Sequence, residues 1–114
     1  MPVLLGIDYG TGGAKGCIIE LEGNVLGYVF EEYPIITLKP DWSEHDPQLY
    51  WKIACRIIKG CIEQTKVNSK DIKGIAVSCA LPSMVMIDSK GNPVSNAYSL
   101  NVLNLYLHLK GELR

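Results

Sequence analysis

The chain has 114 residues, of which 47% are apolar and 20% are charged, and its formal net charge is −1. This length and composition predict one folded domain with its own hydrophobic core, and they exclude a disordered chain. The near-neutral charge lacks the basic footprint of a protein that binds nucleic acid or an anionic membrane, so neither partner is expected.

The sequence contains no apolar run long enough to span a bilayer, and its start lacks the pattern of a signal peptide. Four cysteines occur, at positions 17, 55, 61 and 79, without a C-x-x-C pair and without histidines at zinc-site spacing. We therefore expect a cytoplasmic protein whose thiols are reduced and act as small buried hydrophobic groups.

The first 33 residues predict three antiparallel strands at residues 3–9, 16–21 and 25–33, with a turn at 22–24. A glycine-rich turn joins the first two of these strands. It carries no G-x-x-x-x-G-K-[ST] motif, and it does not open a helix as G-x-G-x-x-G does in dinucleotide-binding folds. If this turn binds an anion, the site is built from a hairpin.

The chemistry of this turn is that of a nucleotide site. Asp8 ends the first apolar run and suits a hydrated Mg²⁺, which prefers one or two carboxylates together with phosphate oxygens. Glycines allow backbone N–H groups to approach phosphate, Thr11 adds a hydroxyl donor, and Lys15 adds a mobile positive charge. The alternative at this point is a plain hairpin with an exposed lysine.

The rest of the chain predicts a helix and further strands. Residues 34–45 are expected to form an extended surface loop, and Asp46 followed by Pro47 is a typical helix start. Apolar residues at three- and four-residue steps predict a helix over 47–66, with Ser69 capping a short turn after it. Residues 72–78 predict a buried strand parallel to the first, and 84–88 predict another strand before a turn at 90–93. This order indicates an α/β fold with a mixed sheet.

Three blocks of sequence together resemble the FGGY family of carbohydrate kinases, which belongs to the actin-like ATPases. The stretch GIDYGTGGAK at residues 6–15 resembles the family's first phosphate motif. The stretch PDWSEHDP at 40–47 resembles the family's P-G-W-x-E-x-D-P segment before a helix with tryptophan. The stretches IAVS at 75–78, PSMVMID at 82–88 and GNP at 91–93 resemble the strand, substrate loop and turn that follow.

The resemblance implies a ribonuclease-H-like fold whose N-terminal meander packs on helices, and the use of ATP and Mg²⁺ to phosphorylate a sugar or polyol. Asp8 would organise the metal and its waters, and Lys15 would face phosphate oxygens. Backbone groups of the turn would bracket the β- and γ-phosphates at Gly10, Thr11, Gly12 and Gly13. The family's catalytic base would lie beyond residue 114, so no catalytic residue is assigned in this chain.

Substrate contacts in the family come from the loop after the strand at 72–78, which here includes Leu81, Pro82 and Ser83. Glycerol-specific members carry an Arg–Glu pair where this chain has Leu81 and Pro82, and xylulose-type members carry Met–His. The departure argues against glycerol and leaves the sugar undetermined, with a xylulose-type ketose as the best single expectation from the resemblance. Ser83 is either a donor to a sugar hydroxyl or a plain turn serine. Trp51, on the helix, is expected to pack against a neighbouring element, and Trp42 to pin its loop.

The resemblance covers residues 3–99. It implies that 1–99 are the N-terminal portion of the first domain of such a kinase, and 100–114 form an atypical tail in which leucines alternate with polar residues. We expect the chain to be a truncated N-terminal piece of such a kinase, without turnover of its own. The alternatives are a non-catalytic remnant that binds nucleotide or self-associates through the tail or through uncovered surface, and an ATPase activator of a dehydratase. The last alternative expects cysteines that ligate a cluster between two subunits, a setting that none of the four has.

Overall fold

A computed structural model describes residues 1–10, 12–37, 44–79 and 83–99 of the chain. It has two sheets and one long helix. The strands are β1 (Val3–Tyr9), β2 (Gly13–Glu20), β3 (Val25–Glu32), β4 (Glu44–His45), β5 (Ile72–Cys79), β6 (Ser83–Met84) and β7 (Ala97–Ser99); the helix is α1 (Pro47–Thr65), and a 3₁₀ turn spans Ser69–Asp71.

The larger sheet has the strand order β3-β2-β1-β5 and confirms the expected mixed topology. β1 pairs with β2 and β2 with β3 in antiparallel fashion, whereas β5 lies parallel to β1. The sequence-based bounds of β1 are confirmed, and those of β3 differ by one residue at the end. β2 begins at Gly13, three residues before the predicted start, because the pattern had assigned the glycines of this stretch to the turn.

Alternation along β1 decides which face of the sheet is covered. Val3, Leu5 and Ile7 are buried beneath α1, whereas Leu4 and Asp8 point to the other face and are exposed. Side chains of a strand alternate between faces, so one face carries the core and the other, which we call the open face, is uncovered in the described part of the chain. The core cluster consists of Val3, Leu5, Ile7, Ala14, Ile18, Tyr33, Ile53, Ala54, Ile57 and Cys61.

The ends of α1 follow from local chemistry. The Asp46 side chain accepts a hydrogen bond from the backbone N–H of Gln48 at 3.0 Å, and Pro47 occupies the first turn. The helix ends at Thr65, one residue before the predicted end, and Lys66 caps it with a left-handed backbone at φ 59°. The apolar face predicted for this helix is confirmed, since Ile53, Ala54, Ile57 and Cys61 are its buried residues.

Several expectations for individual residues are wrong. The expected packing of Trp51 does not occur, because its side chain is 74% exposed, and Cys79 is likewise exposed. Asn68, not Ser69, caps the 3₁₀ turn, since its side chain accepts from the N–H of Lys70 at 3.0 Å. Trp42 lies outside the described residues.

Expectations for two strands and one loop also need correction. β5 is parallel to β1 as expected but it is not buried, because α1 packs chiefly over β3 and β2 and leaves β5 beyond its edge. The strand predicted at 84–88 is limited to β6 and an isolated bridge from Ile87 to Pro93. The loop predicted at 34–45 ends in β4, whose two residues are buried in a second sheet of order β4-β7-β6.

Candidate phosphate-binding hairpin

Three polar residues occupy neighbouring register positions at one end of the larger sheet, on its open face. Asp8 of β1 lies opposite Lys15 of β2 and opposite Ser78 of β5 in the strand registers. The Ser78 hydroxyl donates a hydrogen bond to Asp8 Oδ1 at 2.7 Å, and all three residues are exposed. The structure therefore brings together the acid and the cation that the sequence singled out, and it adds a serine.

Ser78 was not among the predicted site residues, although the parallel pairing expected for its strand was a partial indication. The strand at 72–78 was expected to run parallel to β1, and parallel strands end at the same edge of a sheet. Ser78 is 70 positions away from Asp8 in the chain. Only the register of the two strands, which a single sequence does not supply, makes them neighbours.

The turn between β1 and β2 is tight and has open space at its tip. The Gly10 N–H donates to the Gly13 carbonyl at 2.8 Å. A Cβ atom added at Gly12 would meet no heavy atom of the described residues within 4 Å, so the space beside Gly12 is open. Thr11 lies outside the described residues, and its expected contact with phosphate stays a prediction.

Gly13 has a packing role in addition to its predicted place beside phosphate. A Cβ atom at this position would lie 2.8 Å from the Phe30 ring and 2.5 Å from the Glu31 carbonyl oxygen. Such distances are too short for any side chain, so glycine is required here by the neighbouring strand β3. The need for glycine at Gly13 therefore does not by itself indicate a ligand.

A cluster of aromatic rings, which we call the aromatic cluster, lies behind the turn and consists of Tyr9, Tyr33, His45 and Tyr50. The Tyr33 hydroxyl donates to the Gly10 carbonyl of the turn, and the Tyr9 hydroxyl donates to the Tyr50 carbonyl at 2.8 Å. His45 Nδ1 lies 3.0 Å from the Tyr50 hydroxyl. The rings meet edge to face, with centroid distances from 4.8 to 6.0 Å. The cluster joins the turn to β4 and to the start of α1.

Burial moves the pKa of the phenols in this cluster further above neutral pH. Desolvation raises the pKa of Tyr33 to about 12, and the neighbouring Tyr50, Tyr9 and Asp8 add to the rise. Desolvation also raises the pKa of Tyr9 and of Tyr50. All three hydroxyls are therefore hydrogen-bond donors at neutral pH.

The open face carries a shallow groove of about 510 Å³ next to the polar residues. Asp8, Lys15 and Ser78 line one end, and Val25 and Tyr28 line the other. No helix in the described residues combines the length and the hydropathy that a bilayer span requires.

The donor set suits one kind of metal site. The described residues contain no group of three or more His, Cys, Asp or Glu side chains that could hold a metal ion. A protein-only metal centre is therefore not supported within those residues. A single exposed carboxylate beside an open turn fits hydrated Mg²⁺, because that ion keeps several waters and takes phosphate oxygens as ligands.

The predicted substrate residues are Leu81, Pro82 and Ser83. Leu81 and Pro82 lie outside the described residues. The backbone of Ser83 begins β6, which pairs with β7 opposite Ser99. A contact between this loop and a sugar stays a prediction.

Comparison with known proteins identifies the family. The sequence model of the FGGY family of carbohydrate kinases, N-terminal domain, matches residues 3–103. This chain belongs to the FGGY family. The family resemblance seen in the sequence is confirmed.

The FGGY relatives include kinases for different substrates. Over 95 residues the chain is 36% identical to the glycerol kinase of Listeria monocytogenes, a match that covers 82% of this chain and 19% of that protein. Over 99 residues it is 33% identical to the xylulose kinase of Staphylococcus epidermidis, covering 87% of this chain and 20% of that protein. The chain thus spans about a fifth of the length of these curated relatives.

Solved structures of FGGY kinases share the fold. The xylulose kinase of Rhodospirillum rubrum has a TM-score of 0.80 and 21% identity, covering 97% of this chain and 23% of that one. The glycerol kinase of Plasmodium falciparum, solved with ADP, has a TM-score of 0.72 and 20% identity, covering 100% of this chain and 24% of that one. The expected α/β fold of the actin-like ATPases is thereby confirmed.

Proposed function

We propose that this domain supplies the phosphate-binding hairpin of an ATP-dependent carbohydrate kinase, with Asp8 organising Mg²⁺. The observation that carries the proposal is the position of Asp8 beside the Gly10–Gly13 turn, with its Oδ1 held by Ser78 and open space at Gly12. The family membership supports the same conclusion.

The residues present divide the work of binding a nucleotide. The Asp8 carboxylate would hold the hydrated metal, while backbone N–H groups of the turn and the Lys15 ammonium would neutralise charge on the phosphate oxygens. Bound Mg²⁺ would neutralise negative charge on the β- and γ-phosphates. Phosphoryl transfer depends mainly on such positioning and charge neutralisation, which a rigid hairpin on a sheet can provide.

A titration of the 114-residue chain with Mg·ADP and with a non-hydrolysable ATP analogue tests this proposal. We expect the amide resonances of Gly12 and Gly13 to shift on binding, since they lie at the tip and end of the turn. The variant Lys15→Met should weaken binding about tenfold or less, whereas Lys52→Met, an exposed lysine of α1, should leave it unchanged. Binding that shifts other residues and leaves the turn untouched would contradict the proposed site.

We infer a sugar or polyol other than glycerol as the substrate of the parent activity, because Leu81 and Pro82 replace the Arg–Glu pair expected of glycerol-specific members, and we favour a xylulose-type ketose among these. A domain of this size lacks the second lobe that closes around ATP and sugar and excludes water. A polypeptide of these 114 residues alone is therefore expected to show no sugar-dependent turnover. A coupled assay for ADP release over pentuloses, hexuloses, glycerol and other polyols tests the substrate and the lack of turnover. Robust turnover would contradict the expected inactivity, and turnover restricted to glycerol would also contradict the inferred substrate.

A second candidate role for the chain on its own is self-association without catalysis, and the apolar residues of the open face favour it. Leu4, Tyr28 and Phe30 are 36%, 61% and 46% exposed. Exposed apolar surface of this kind is typical of a face that another chain or segment covers. A strictly monomeric mass in light scattering would exclude this role.

A further inference from the structure

Tyr33 contacts both sides of the phosphate-binding turn. Its hydroxyl donates to the Gly10 carbonyl, and its backbone N–H donates to the Gly12 carbonyl at 3.3 Å. The side chain is only 5% exposed and packs edge to face on His45 and Tyr50. A residue held this firmly can impose a conformation on the turn.

The Tyr33 hydroxyl donates to the Gly10 carbonyl, which in a closed two-residue hairpin would accept the Gly13 N–H. In a closed two-residue hairpin, residues 10 and 13 would exchange two backbone hydrogen bonds. Here the Gly10 N–H donates to the Gly13 carbonyl at 2.8 Å. The reciprocal bond, from the Gly13 N–H to the Gly10 carbonyl, is not formed among the described residues, and that carbonyl accepts the Tyr33 hydroxyl.

The second contact fixes the direction of a peptide group. A trans peptide is planar, and its N–H points opposite to its carbonyl. Since Tyr33 holds the Gly12 carbonyl towards β3, the Gly13 N–H points away from β3 and towards the turn. The Gly13 N–H therefore points away from β3, and its bond to the Gly10 carbonyl is not formed among the described residues.

We propose that Tyr33 is a positioning residue that binds the Gly10 and Gly12 carbonyls, so that the Gly13 N–H donates to a phosphate oxygen of the nucleotide and not to the Gly10 carbonyl. This inference rests on the proposed function. Carbonyl oxygens repel phosphate, and Tyr33 binds two of them on the protein side of the turn. The Tyr33 phenol is protonated throughout the neutral range, so the donor is present there.

Tyr33→Phe tests the inference, since it removes the hydroxyl and keeps the ring. In the nucleotide-free variant the Gly13 N–H should close onto the Gly10 carbonyl, so its hydrogen exchange should slow about tenfold. The affinity for Mg·ADP should fall about fivefold to tenfold. If Tyr33 only stabilised the fold, Tyr33→Phe would speed the hydrogen exchange of the Gly13 N–H, because loss of stability speeds amide exchange.

Tyr9→Phe is the matched control, because Tyr9 belongs to the same cluster and its hydroxyl donates to the Tyr50 carbonyl and not to the turn. We expect its Gly13 exchange and its affinity to stay within about twofold of the original chain. The inference is overturned if Tyr33→Phe leaves Gly13 exchange unchanged or faster, or if it binds Mg·ADP as tightly as the original chain.

The two proposals fail separately. If the original chain does not bind Mg·ADP at all, the proposed function is overturned, together with the phosphate in this inference. Slower exchange of Gly13 in Tyr33→Phe would still support the hold of Tyr33 on the turn. If the original chain binds and the two tyrosine variants bind equally well, the nucleotide site stands and the role of Tyr33 is overturned.

Discussion

Asp8 and Ser78 illustrate how one hydrogen bond prepares a side chain for a ligand. An exposed carboxylate samples several rotamers, and the bond from Ser78 at 2.7 Å restricts this one by holding Oδ1. Under the proposed function, Oδ2 would be the oxygen that faces the hydrated metal. The entropy of ordering the carboxylate is thus lost during folding and not during binding.

We therefore expect Ser78→Ala to weaken binding of Mg·ADP about threefold to tenfold and to leave metal-free ADP binding unchanged. Calorimetric titrations with and without Mg²⁺ measure the difference. Ser95→Ala is a suitable control, since its hydroxyl donates only to the Asn96 carbonyl at 3.2 Å, and Ser78→Thr should restore binding because it keeps a hydroxyl. Equal losses with and without metal would refute a role beside the metal.

The raised pKa of Tyr33 links stability to alkaline pH. A group with a folded pKa near 12 and an ordinary value of 10.0 binds more protons in the folded than in the unfolded state between these values. The free energy of unfolding should therefore be unaffected by this group below pH 10 and should fall as pH rises from 10 to 12. Urea titrations across this range should show a shallower fall for Tyr33→Phe; identical slopes would mean that the phenol is not buried as described.

At the scale of elements, the contact between β2 and α1 decides why glycines occur in the strand. A Cβ atom at Gly16 would overlap the Ile57 side chain of α1, whereas one at Gly12 would meet nothing within 4 Å. Gly16 thus lets the helix approach the sheet closely, and Gly12 leaves room for a ligand. Glycine thus occurs at these two positions for different physical reasons.

Substituting alanine at each position should separate these causes. Gly16→Ala should lower the free energy of unfolding by about 1–3 kcal/mol, because the added methyl group overpacks the core. Gly12→Ala should change it by less than about 0.5 kcal/mol but should weaken binding of Mg·ADP, since the methyl group occupies the ligand space. Thermal unfolding and nucleotide titration measure both; a stable Gly16→Ala variant would mean that α1 can move away from the sheet at little cost.

Local chemistry predicted those elements whose causes are local. The bounds of β1, the capping of α1 by Asp46 and the buried stripe of the helix followed from alternation, capping and 3.6-residue periodicity. The start of β2 did not, because only the neighbouring Phe30 and Ile57 explain glycines inside that strand. Burial of β5 was wrong for a similar reason, since its apolar sequence says nothing about whether a helix covers it.

The candidate site was predictable to the same extent. Asp8, Lys15 and the glycines lie within one short stretch, so their chemistry could be read from adjacent letters. Ser78 and the hold of Tyr33 on the turn depend on strand register and on the packing of β4 and α1. A single sequence carries no information on such long-range pairs.

At the scale of the whole molecule, the described part of the sheet has one covered face and one apolar open face. On the open face the apolar side chains of Leu4, Tyr28 and Phe30 are exposed. The chain spans about a fifth of the FGGY kinases it matches, and in the described residues α1 is the only α-helix over this sheet. Surface of this kind favours association in solution.

We expect the 114-residue chain to self-associate with rising concentration and to bind a dye that reports exposed apolar surface. Leu4→Lys should reduce both effects, because a charge on the open face opposes burial, whereas Leu21→Lys, at an exposed turn after β2, should not. Light scattering across a concentration series measures the mass. Unchanged association in Leu4→Lys would place the contact elsewhere on the molecule.

The parallel pairing of β1 with β5 has a consequence for the order in which the chain acquires its structure. The strands β1, β2 and β3 are joined by short turns, whereas Asp8 and Ser78 come together across 70 positions. Closing so long a loop costs conformational entropy before the contacts that stabilise it have formed. We therefore expect β1, β2 and β3 to form early and β5 to dock after the rate-limiting barrier. Mutations in β5 would then mainly speed unfolding, and the contact between Asp8 and Ser78 would be among the last features of the native state to assemble.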